Sequence, residues 1–262
     1  MDIPANNFKR AIASGIPQIG LWTSLCSEYA AEVVAGSGFD WLLLDTEHSP
    51  NDLFMVTRQL QGVAAGNVGI PSSPAHPVVR PAWNDMVLIK RYLDAGAQSL
   101  LIPYIQTEEE ARNAVAYTRY PPDGVRGLGG TTRATRFGRV KEYFRVAAAE
   151  TCLLLQIETK QGLDNLEAIA NVDGVDGVFI GPADLSAGLG HIGNPGHPDV
   201  QKAIDEAIRR IIKCGKAAGI LTPDEKLARH YIELGASFVA VGVDITMLAR
   251  ETEKLAAKFK KA

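Results

Sequence analysis

The stretch from Gly36 to Asp45, GSGFDWLLLD, joins a glycine-containing turn to an apolar run that ends in a carboxylate. Glycine supplies the left-handed backbone that ends a helix, and a continuous apolar run is typical of a strand buried on both faces of a parallel sheet. The same unit recurs at Ala95–Pro103, Val172–Gly181 and Leu234–Gly242. A repeated helix–turn–strand unit indicates an α/β fold with a parallel sheet.

Working outward from these units, we predict eight strands that alternate with eight helices. The predicted strands are Gln18–Trp22, Trp41–Asp45, Pro77–Arg80, Leu100–Pro103, Cys152–Ile157, Val178–Gly181, Ala218–Leu221 and Phe238–Val243. The predicted helices are Tyr29–Ala35, Leu53–Ala64, Met86–Ala95, Glu108–Arg119, Leu163–Ala170, Asp199–Cys214, Asp224–Leu234 and Met247–Lys260. This alternation favours a (β/α)8 TIM barrel, which typically takes about 250 residues. An open doubly wound sheet is the alternative, but its G-x-G-x-x-G turn is missing after the first strand.

The chain is predicted to form one domain over residues 1–262, because no linker is long enough to divide it. Two segments stand outside the repeated pattern. Asn67–His76 is predicted to be an insertion loop, and Pro121–Gly138 a long functional or structural excursion.

Composition excludes several classes of partner. The net charge is −3, from 27 basic and 30 acidic residues that are mixed along the chain, so nucleic acid and anionic membrane surfaces are not expected partners. No apolar run approaches the ~20 residues that span a bilayer, and the first residues do not resemble a secretory signal. Cys26, Cys152 and Cys214 are scattered, so we expect reduced thiols in a cytoplasmic protein and no disulfide framework or cysteine zinc site.

Polar side chains follow several predicted strands, at the end of the barrel where active sites form. They are Asp45, Glu47 and His48 after the second strand, Arg80 after the third, Gln156 and Glu158 on the fifth, and Asp184 after the sixth. Taken alone, Asp45 or Asp184 is readily explained as a helix cap, and Arg80 as the partner of an acid. Their convergence on one rim favours a functional site.

Two acids at this rim suit a metal ion. Glu158 and Asp184 follow adjacent strands, and two carboxylates with open positions suit a hard octahedral ion such as Mg²⁺ or Mn²⁺. His48 is a candidate general base because its unperturbed pKa is ~6.5. His191 and His197 suggest a second metal pair, but turn residues dominate that stretch, and loop histidines are the simpler interpretation.

At these residues the sequence resembles the HpcH/HpaI family of metal-dependent class II pyruvate aldolases. The matching stretches are Gly38–His48, Val78–Asp85, Thr118–Gly127, Gln156–Glu158, Gly177–Ser186 and Phe238–Asp244, which cover nearly the whole chain in order. The phrase Gly181-Pro-Ala-Asp184 is the most specific of them.

The resemblance implies a role for particular residues. Glu158 and Asp184 would bind Mg²⁺, Mn²⁺ or Co²⁺, Gln156 would touch the oxoacid, and the backbone at Ala183 and Leu221 would meet its carboxylate. Arg80 would stabilise the enolate oxygen, and His48 would be the acid–base group with Asp45 and Asp94 in support. Asp94 lies late in a helix, so it would act across a subunit contact, which implies a homo-oligomer, often a hexamer.

The implied reaction is the reversible aldol cleavage of a 4-hydroxy-2-oxo acid to pyruvate and an aldehyde. A base must take the proton of the 4-hydroxyl as the C3–C4 bond breaks, and the carbanion that leaves is tolerable only as an enolate. A metal on the keto oxygen supplies that stabilisation as a Lewis acid, and Arg80 adds a fixed positive charge where negative charge develops.

Some residues depart from the family pattern. Thr46 stands where many relatives have glycine, and two loops, Asn67–His76 and Leu128–Phe137 within the longer excursion, are expected to shape the aldehyde pocket. Arg133 and Arg136 would then bind a carboxylate of the acceptor, unless they are solvated loop charges.

Other functions remain open at this point. A Schiff-base aldolase needs a desolvated lysine, for which Lys160 is the nearest candidate. A lyase of CoA thioesters, an oxaloacetate decarboxylase that uses the same enolate, and a non-catalytic oligomeric barrel are the remaining alternatives.

Overall fold

The computed structural model describes residues 1–70 and 74–260, and its centre is a closed barrel of eight parallel strands in sequence order. The strands are β1 Gln18–Thr23, β2 Trp41–Asp45, β3 His76–Arg80, β4 Ser99–Ile102, β5 Cys152–Ile157, β6 Gly177–Ile180, β7 Ala217–Leu221 and β8 Phe238–Val243. β1 pairs with β8 from Gln18↔Phe238 onward, which closes the ring. The prediction of a (β/α)8 TIM barrel is confirmed, and the open sheet is wrong.

Twelve helices are present in the described part of the chain. They are α1 Asn7–Ala13, α2 Glu28–Ala35, α3 Leu53–Gly66, α4 Met86–Asp94, α5 Glu108–Thr118, α6 Tyr143–Glu150, α7 Lys160–Asp164, α8 Leu166–Ala170, α9 Pro182–Gly188, α10 Pro198–Lys213, α11 Glu225–Leu234 and α12 Asp244–Phe259. None of these helices is long and apolar enough to cross a membrane.

The strands are buried on both faces, as their composition predicts. Every residue of β2 and of β5 is buried. On one side they pack against the surrounding helices, and on the other they fill the barrel with aromatic side chains. Phe8 of α1 enters this interior, with its ring centroid 5.9 Å from that of Trp41 and 6.3 Å from that of Phe238. The amino-terminal end of the barrel is therefore closed by packed side chains, and the chemistry must lie at the other end.

Each of the two segments outside the repeated pattern follows the end of a helix, and the helices that follow barrel strands end at the amino-terminal end of the barrel. The described parts of both segments therefore lie at that end. The side chain of Asn67 makes two hydrogen bonds with Ala75 at the other end of the first loop. Its Oδ1 accepts the backbone N–H of Ala75 at 2.8 Å, and its Nδ2 donates to the Ala75 carbonyl at 2.9 Å. Residues 71–73 of this loop are outside the described part of the chain. In Pro121–Gly138, Arg133 donates to the Ala95 carbonyl at the end of α4. Within one chain both loops are opposite the polar rim, so the expectation that they shape the aldehyde pocket fails for a single subunit.

Candidate active site

A buried ion pair joins the ends of β2 and β3. Arg80 donates from Nε to Asp45 Oδ1 at 2.9 Å and from Nη2 to Asp45 Oδ2 at 2.8 Å. Asp45 is not the cap of the next helix, because Asp52 caps α3. Burial alone would raise the pKa of Asp45, but the hydrogen bonds and charge of Arg80 outweigh it and hold that pKa below its ordinary value. Asp45 is therefore ionised and holds the guanidinium in one orientation.

Arg80 has two further partners that the sequence did not predict. Its Nη1 lies 2.9 Å from Glu47 Oε2, and its guanidinium lies 4.7 Å from the centroid of the Trp22 ring. The Trp22 indole also donates to Asp45 Oδ2 at 3.3 Å. Burial, together with the charges of Asp45 and Asp184, raises the pKa of Glu47 despite the opposing charge of Arg80. Glu47 stands in the predicted run Asp45–His48, so its position was the available signal.

Glu158, at the end of β5, is buried and doubly hydrogen-bonded. Its Oε1 accepts the backbone N–H of Tyr104 at 2.9 Å, and its Oε2 accepts Gln156 Nε2 at 2.6 Å. Tyr104 has φ +58°, an unusual conformation for a bulky residue, and this turns its N–H toward the carboxylate. Burial raises the pKa of Glu158 to about 7, and the charges of Glu47 and Asp184 add to this rise.

Asp184 reaches the same region from α9. Its charge contributes to the raised pKa of both Glu47 and Glu158. Asp184 lies in the first turn of α9, whose amino terminus has no side-chain cap. Gly181 precedes that turn, and a Cβ at this position would lie 2.7 Å from Glu158 Oε2. Only glycine allows the start of α9 to come this close to Glu158.

The donor set fits a hard divalent cation. Arg80 pairs with Asp45 and Glu47, and Glu158 and Asp184 add two further carboxylates to this part of the rim, so negative charge is in excess there. Each oxygen of Glu158 has a second lone pair beyond its one hydrogen bond. Gln156 Oε1 is buried and accepts no hydrogen bond from the described residues. Carboxylate and amide oxygens of this kind are the ligands that Mg²⁺ and Mn²⁺ prefer.

His48 lies at the edge of this group and is open to solvent. Its side chain is 65% exposed, and its Nε2 is 3.8 Å from Glu47 Oε2. Asp45 does not touch the ring: Asp45 Oδ1 accepts the backbone N–H of Glu47 at 3.0 Å and, more weakly, that of His48 at 3.5 Å. The nearest carboxylate to the imidazole is thus Glu47, and Asp45 orients the His48 backbone.

Asp94 lies elsewhere in the same chain. It ends α4, at the amino-terminal side of the barrel, and its carboxylate accepts Arg126 Nη2 at 2.8 Å. Arg126 is fully buried and lies over the Tyr120 ring at 4.6 Å. Asp94 therefore does not join the other predicted residues at the rim of its own chain.

The remaining predicted residues follow the strands that bound the site. Gln156 is buried on β5 beside Glu158, Ala183 is exposed next to Asp184, and Leu221 ends β7. Lys160, the nearest lysine for a Schiff base, has a side chain 67% exposed and pairs with Asp164 at 2.7 Å. It lacks the desolvation that would make it a nucleophile, so the geometry disfavours the Schiff-base alternative.

Comparisons with known proteins agree with one another. The model of the family described as HpcH/HpaI aldolase/citrate lyase matches residues 18–250. A pyruvate aldolase of Rhizobium etli is 61% identical over 259 residues, which is 99% of each chain. A 4-hydroxy-2-oxo-heptane-1,7-dioate aldolase of Klebsiella pneumoniae is 58% identical over 97% of this chain and 94% of the relative. An HpcH/HpaI aldolase/citrate lyase family protein from Burkholderia cenocepacia superposes with a TM-score of 0.92 at 40% identity, over 98% of this chain and 100% of the other.

Proposed function

This chain belongs to the HpcH/HpaI aldolase/citrate lyase family, and we propose that its rim residues cleave a 4-hydroxy-2-oxo acid reversibly to pyruvate and an aldehyde. The protein is a carbon–carbon lyase, as its aldolase relatives are. The observation that carries the assignment is the buried arginine held by Asp45 and Glu47 at the carboxyl-terminal rim, beside an exposed histidine and the buried carboxylate of Glu158.

Family membership supports a divalent metal cofactor, and Glu158 and Asp184 are the residues that would hold it. Mg²⁺, Mn²⁺ and Co²⁺ all suit these oxygen ligands. When bound, the ion supplies Lewis-acid stabilisation of the oxoacid's keto oxygen. Gln156, with its free buried carbonyl oxygen, would contact the oxoacid, and the backbone at Ala183 and Leu221 would meet its carboxylate.

Arg80 would stabilise the negative charge that develops on the keto oxygen as the C3–C4 bond breaks. Asp45 and Glu47 fix its guanidinium from two sides, and the Trp22 ring lies on its face. Because the group is already oriented and buried, it needs no reorganisation when the charge appears.

His48 would take the proton of the 4-hydroxyl in cleavage and, after the aldehyde has left, give it to C3 of the enolate to complete pyruvate; in bond formation the same two transfers run in reverse. Its ring is exposed to solvent, and its Nε2 lies 3.8 Å from the Glu47 carboxylate. Asp45 supports this group indirectly, through the backbone of His48.

We also propose that the working enzyme is a homo-oligomer, with a hexamer as the expected form. Asp94 would then reach the rim of a neighbouring subunit, which its own chain does not allow. The exposed apolar side chains of α12 support such a contact: Ile245, Met247, Leu248, Leu255 and Phe259 are each at least 47% exposed.

The proposed function is tested without knowledge of the acceptor aldehyde. Exchange of the pyruvate methyl protons with D₂O is followed by NMR, with Mg²⁺, Mn²⁺ or Co²⁺ and then with excess chelator. We expect exchange that requires the metal, is lost in His48→Ala and is retained in His230→Ala, which removes an exposed histidine on α11. Exchange that persists in His48→Ala would assign the base elsewhere, and no exchange with any metal would contradict enolate formation from pyruvate.

A further inference from the structure

Two histidines and an aspartate, none of them among the rim residues described above, converge where the segment after α9 joins α10. His191 and His197 stack with ring centroids 3.6 Å apart and an interplanar angle of 14°. Asp199 Oδ2 lies 3.6 Å from His191 Nε2 and 3.7 Å from His197 Nδ1. Ligand atoms of all three side chains lie within 4.8 Å of one another, and we refer to the three residues as the His–His–Asp cluster.

Two glycines with positive φ in the connecting segment bring these side chains together. Gly190 and Gly193 have φ values of +84° and +73°, which L-residues with side chains rarely adopt. These turns fold the segment back on itself, and the backbone N–H of His191 donates to the Ser186 carbonyl at 2.7 Å. The two imidazoles therefore stack because of how the segment is built, although six residues separate them in sequence.

The spacing within the cluster is close to that of a metal site. Distances of 3.6 and 3.7 Å between nitrogen and oxygen are too long for hydrogen bonds. Nitrogen and oxygen ligands about 2.0–2.1 Å from a tetrahedral zinc ion lie roughly 3.3 Å from each other. Two of the three ligand-atom separations thus exceed this value by a few tenths of an ångström, and the third is at most 4.8 Å. Because the lone pairs of an imidazole lie in the plane of its ring, the stacked rings must also rotate to point at one ion.

The protonation of His197 is also suitable. Its Nδ1 accepts the backbone N–H of Asp199 at 3.2 Å, so this nitrogen carries a lone pair rather than a proton. Neutral imidazole with an available lone pair is the form that binds metals. An incoming ion would replace the Asp199 N–H as the partner of that lone pair.

We propose that the His–His–Asp cluster binds a late first-row transition-metal ion, with Zn²⁺ as the expected one, and that water completes its coordination. Imidazole nitrogens favour Zn²⁺, Ni²⁺ and Cu²⁺ over Mg²⁺, whereas the oxygen ligands at the rim favour Mg²⁺ and Mn²⁺. The side chains of His191 and His197 are 26% and 32% exposed, so an ion reaches them directly from solvent. This site does not depend on the proposed aldolase reaction.

A bound ion would bridge the segment after α9 to the first turn of α10. Because the ligands come together only in the folded chain, binding would stabilise the folded state. α9 also carries Asp184, so the bridge would restrain the far end of the helix that forms one side of the rim.

The test counts zinc in the whole protein with excess Mg²⁺ present to occupy the oxygen ligands at the rim. Metal-free protein is equilibrated with Zn²⁺ by dialysis, and bound zinc is measured by atomic emission. We expect the double variant His191→Ala/His197→Ala to bind one zinc per chain fewer than wild type, and Asp199→Asn to bind it at least tenfold more weakly. His230→Ala is the matched control, because His230 pairs with Asp205 at 2.9 Å without a second histidine nearby in the described residues.

Thermal unfolding gives the second measurement. Zinc should raise the melting temperature of wild type and of His230→Ala, and leave that of the double variant unchanged. Equal zinc counts in wild type and a folded double variant would overturn the proposal. Pyruvate exchange with Mg²⁺ should be the same in all of these proteins, so a failure of the zinc site and a failure of the aldolase assignment are separate results.

Discussion

Arg80 is held by Asp45 and Glu47 at once, and this geometry sets how the position responds to substitution. Removing the guanidinium would leave the buried Asp45 and the half-buried Glu47 without a counter-charge, and loss of the partner of a buried charge costs about 3–5 kcal/mol of stability. Lysine keeps the charge but cannot make the two parallel bonds to Asp45. Arg80→Lys therefore separates the effect on chemistry from the effect of charge loss on folding.

We predict that Arg80→Lys lowers kcat by about 10²–10³-fold with little change in KM, since a fixed donor to developing charge contributes on that scale. Steady-state kinetics of aldol cleavage, with circular dichroism as the check on folding, measure this. Arg58→Lys is the control, because Arg58 makes an exposed ion pair with Glu28. A kcat within twofold of wild type would remove Arg80 from the reacting atoms.

His76 gives a prediction about stability and pH. Its ring stacks on Phe8 with centroids 5.4 Å apart, its Nε2 lies 2.7 Å from Ser99 Oγ, and burial lowers its pKa to about 4. An unfolded histidine titrates near pH 6.5, so between these values the unfolded chain binds more protons and stability falls as the pH falls. The contribution of His76 is complete above pH 7 and is lost as the pH falls toward 4.

Wild type should accordingly lose about 2 kcal/mol of unfolding free energy through this group between pH 7 and pH 5. Urea unfolding of wild type and of His76→Gln at pH 7 and at pH 5 measures the loss of unfolding free energy that His76 causes, because glutamine does not titrate. His230→Gln, at an exposed position, should keep the wild-type pH dependence. An identical pH dependence in His76→Gln and wild type would show that His76 does not carry the effect.

At the scale of elements, the position at which α9 starts depends on the close approach of Gly181 to Glu158. A Cβ at residue 181 would lie 2.7 Å from Glu158 Oε2 and 2.8 Å from Glu158 Cβ, so Gly181→Ala must displace either β5 or α9. We predict at least tenfold weaker Mn²⁺ binding in Gly181→Ala, measured by titration with electron paramagnetic resonance. Gly188→Ala on the same helix meets Lys160 N at 3.8 Å, an ordinary contact, and should bind as wild type does. Equal affinities would mean that Glu158 and Asp184 do not hold the ion together.

The strands were predictable because a buried parallel strand has a distinctive composition. The predictions for β2, β5 and β8 match the structure residue for residue, those for β1, β3 and β7 differ by one residue at one end, and those for β4 and β6 are shifted by one residue. The misses are short helices whose formation depends on tertiary contacts. α1 and α6 are tied together through Asn6, which donates to the Glu150 carbonyl, and α9 begins with a proline in a run that otherwise resembles a loop.

The predicted helix Leu163–Ala170 was wrong in one respect, because the structure has two helices, α7 and α8, that meet at Asn165. Asn165 donates from its side chain to the Gln106 carbonyl at 2.8 Å, which fixes the break from a distant loop. The same reason explains the contacts within the site that were not predicted. Glu47, Trp22 and Tyr104 gain their roles from neighbours across the barrel, which no local pattern encodes.

At the scale of the molecule, the barrel itself has no free strand edge, so any assembly must use its helices and loops. α12 is the element least covered by its own chain: of its residues, Asp244 alone is buried. Asp244 holds the start of the helix by accepting the backbone N–H groups of Ser24 and Leu25. Beyond that anchor, the helix presents a stripe of large apolar side chains to solvent, which monomeric proteins rarely do.

The oligomer predicted from Asp94 and α12 is tested by interrupting that stripe. Leu248 and Leu255, 53% and 57% exposed, lie two turns apart on one side of α12. We predict that wild type runs as a multiple of the 28.1 kDa chain in light scattering, and that Leu248→Glu/Leu255→Glu runs as a smaller species. Ala257→Glu adds one carboxylate, against two in the double variant, on the opposite side of the helix and should leave the mass unchanged. Because Asp94 can reach a rim only across a subunit contact, the smaller species should also lose catalysis while it stays folded. A monomeric wild type that is fully active would contradict both the oligomer and the role of Asp94.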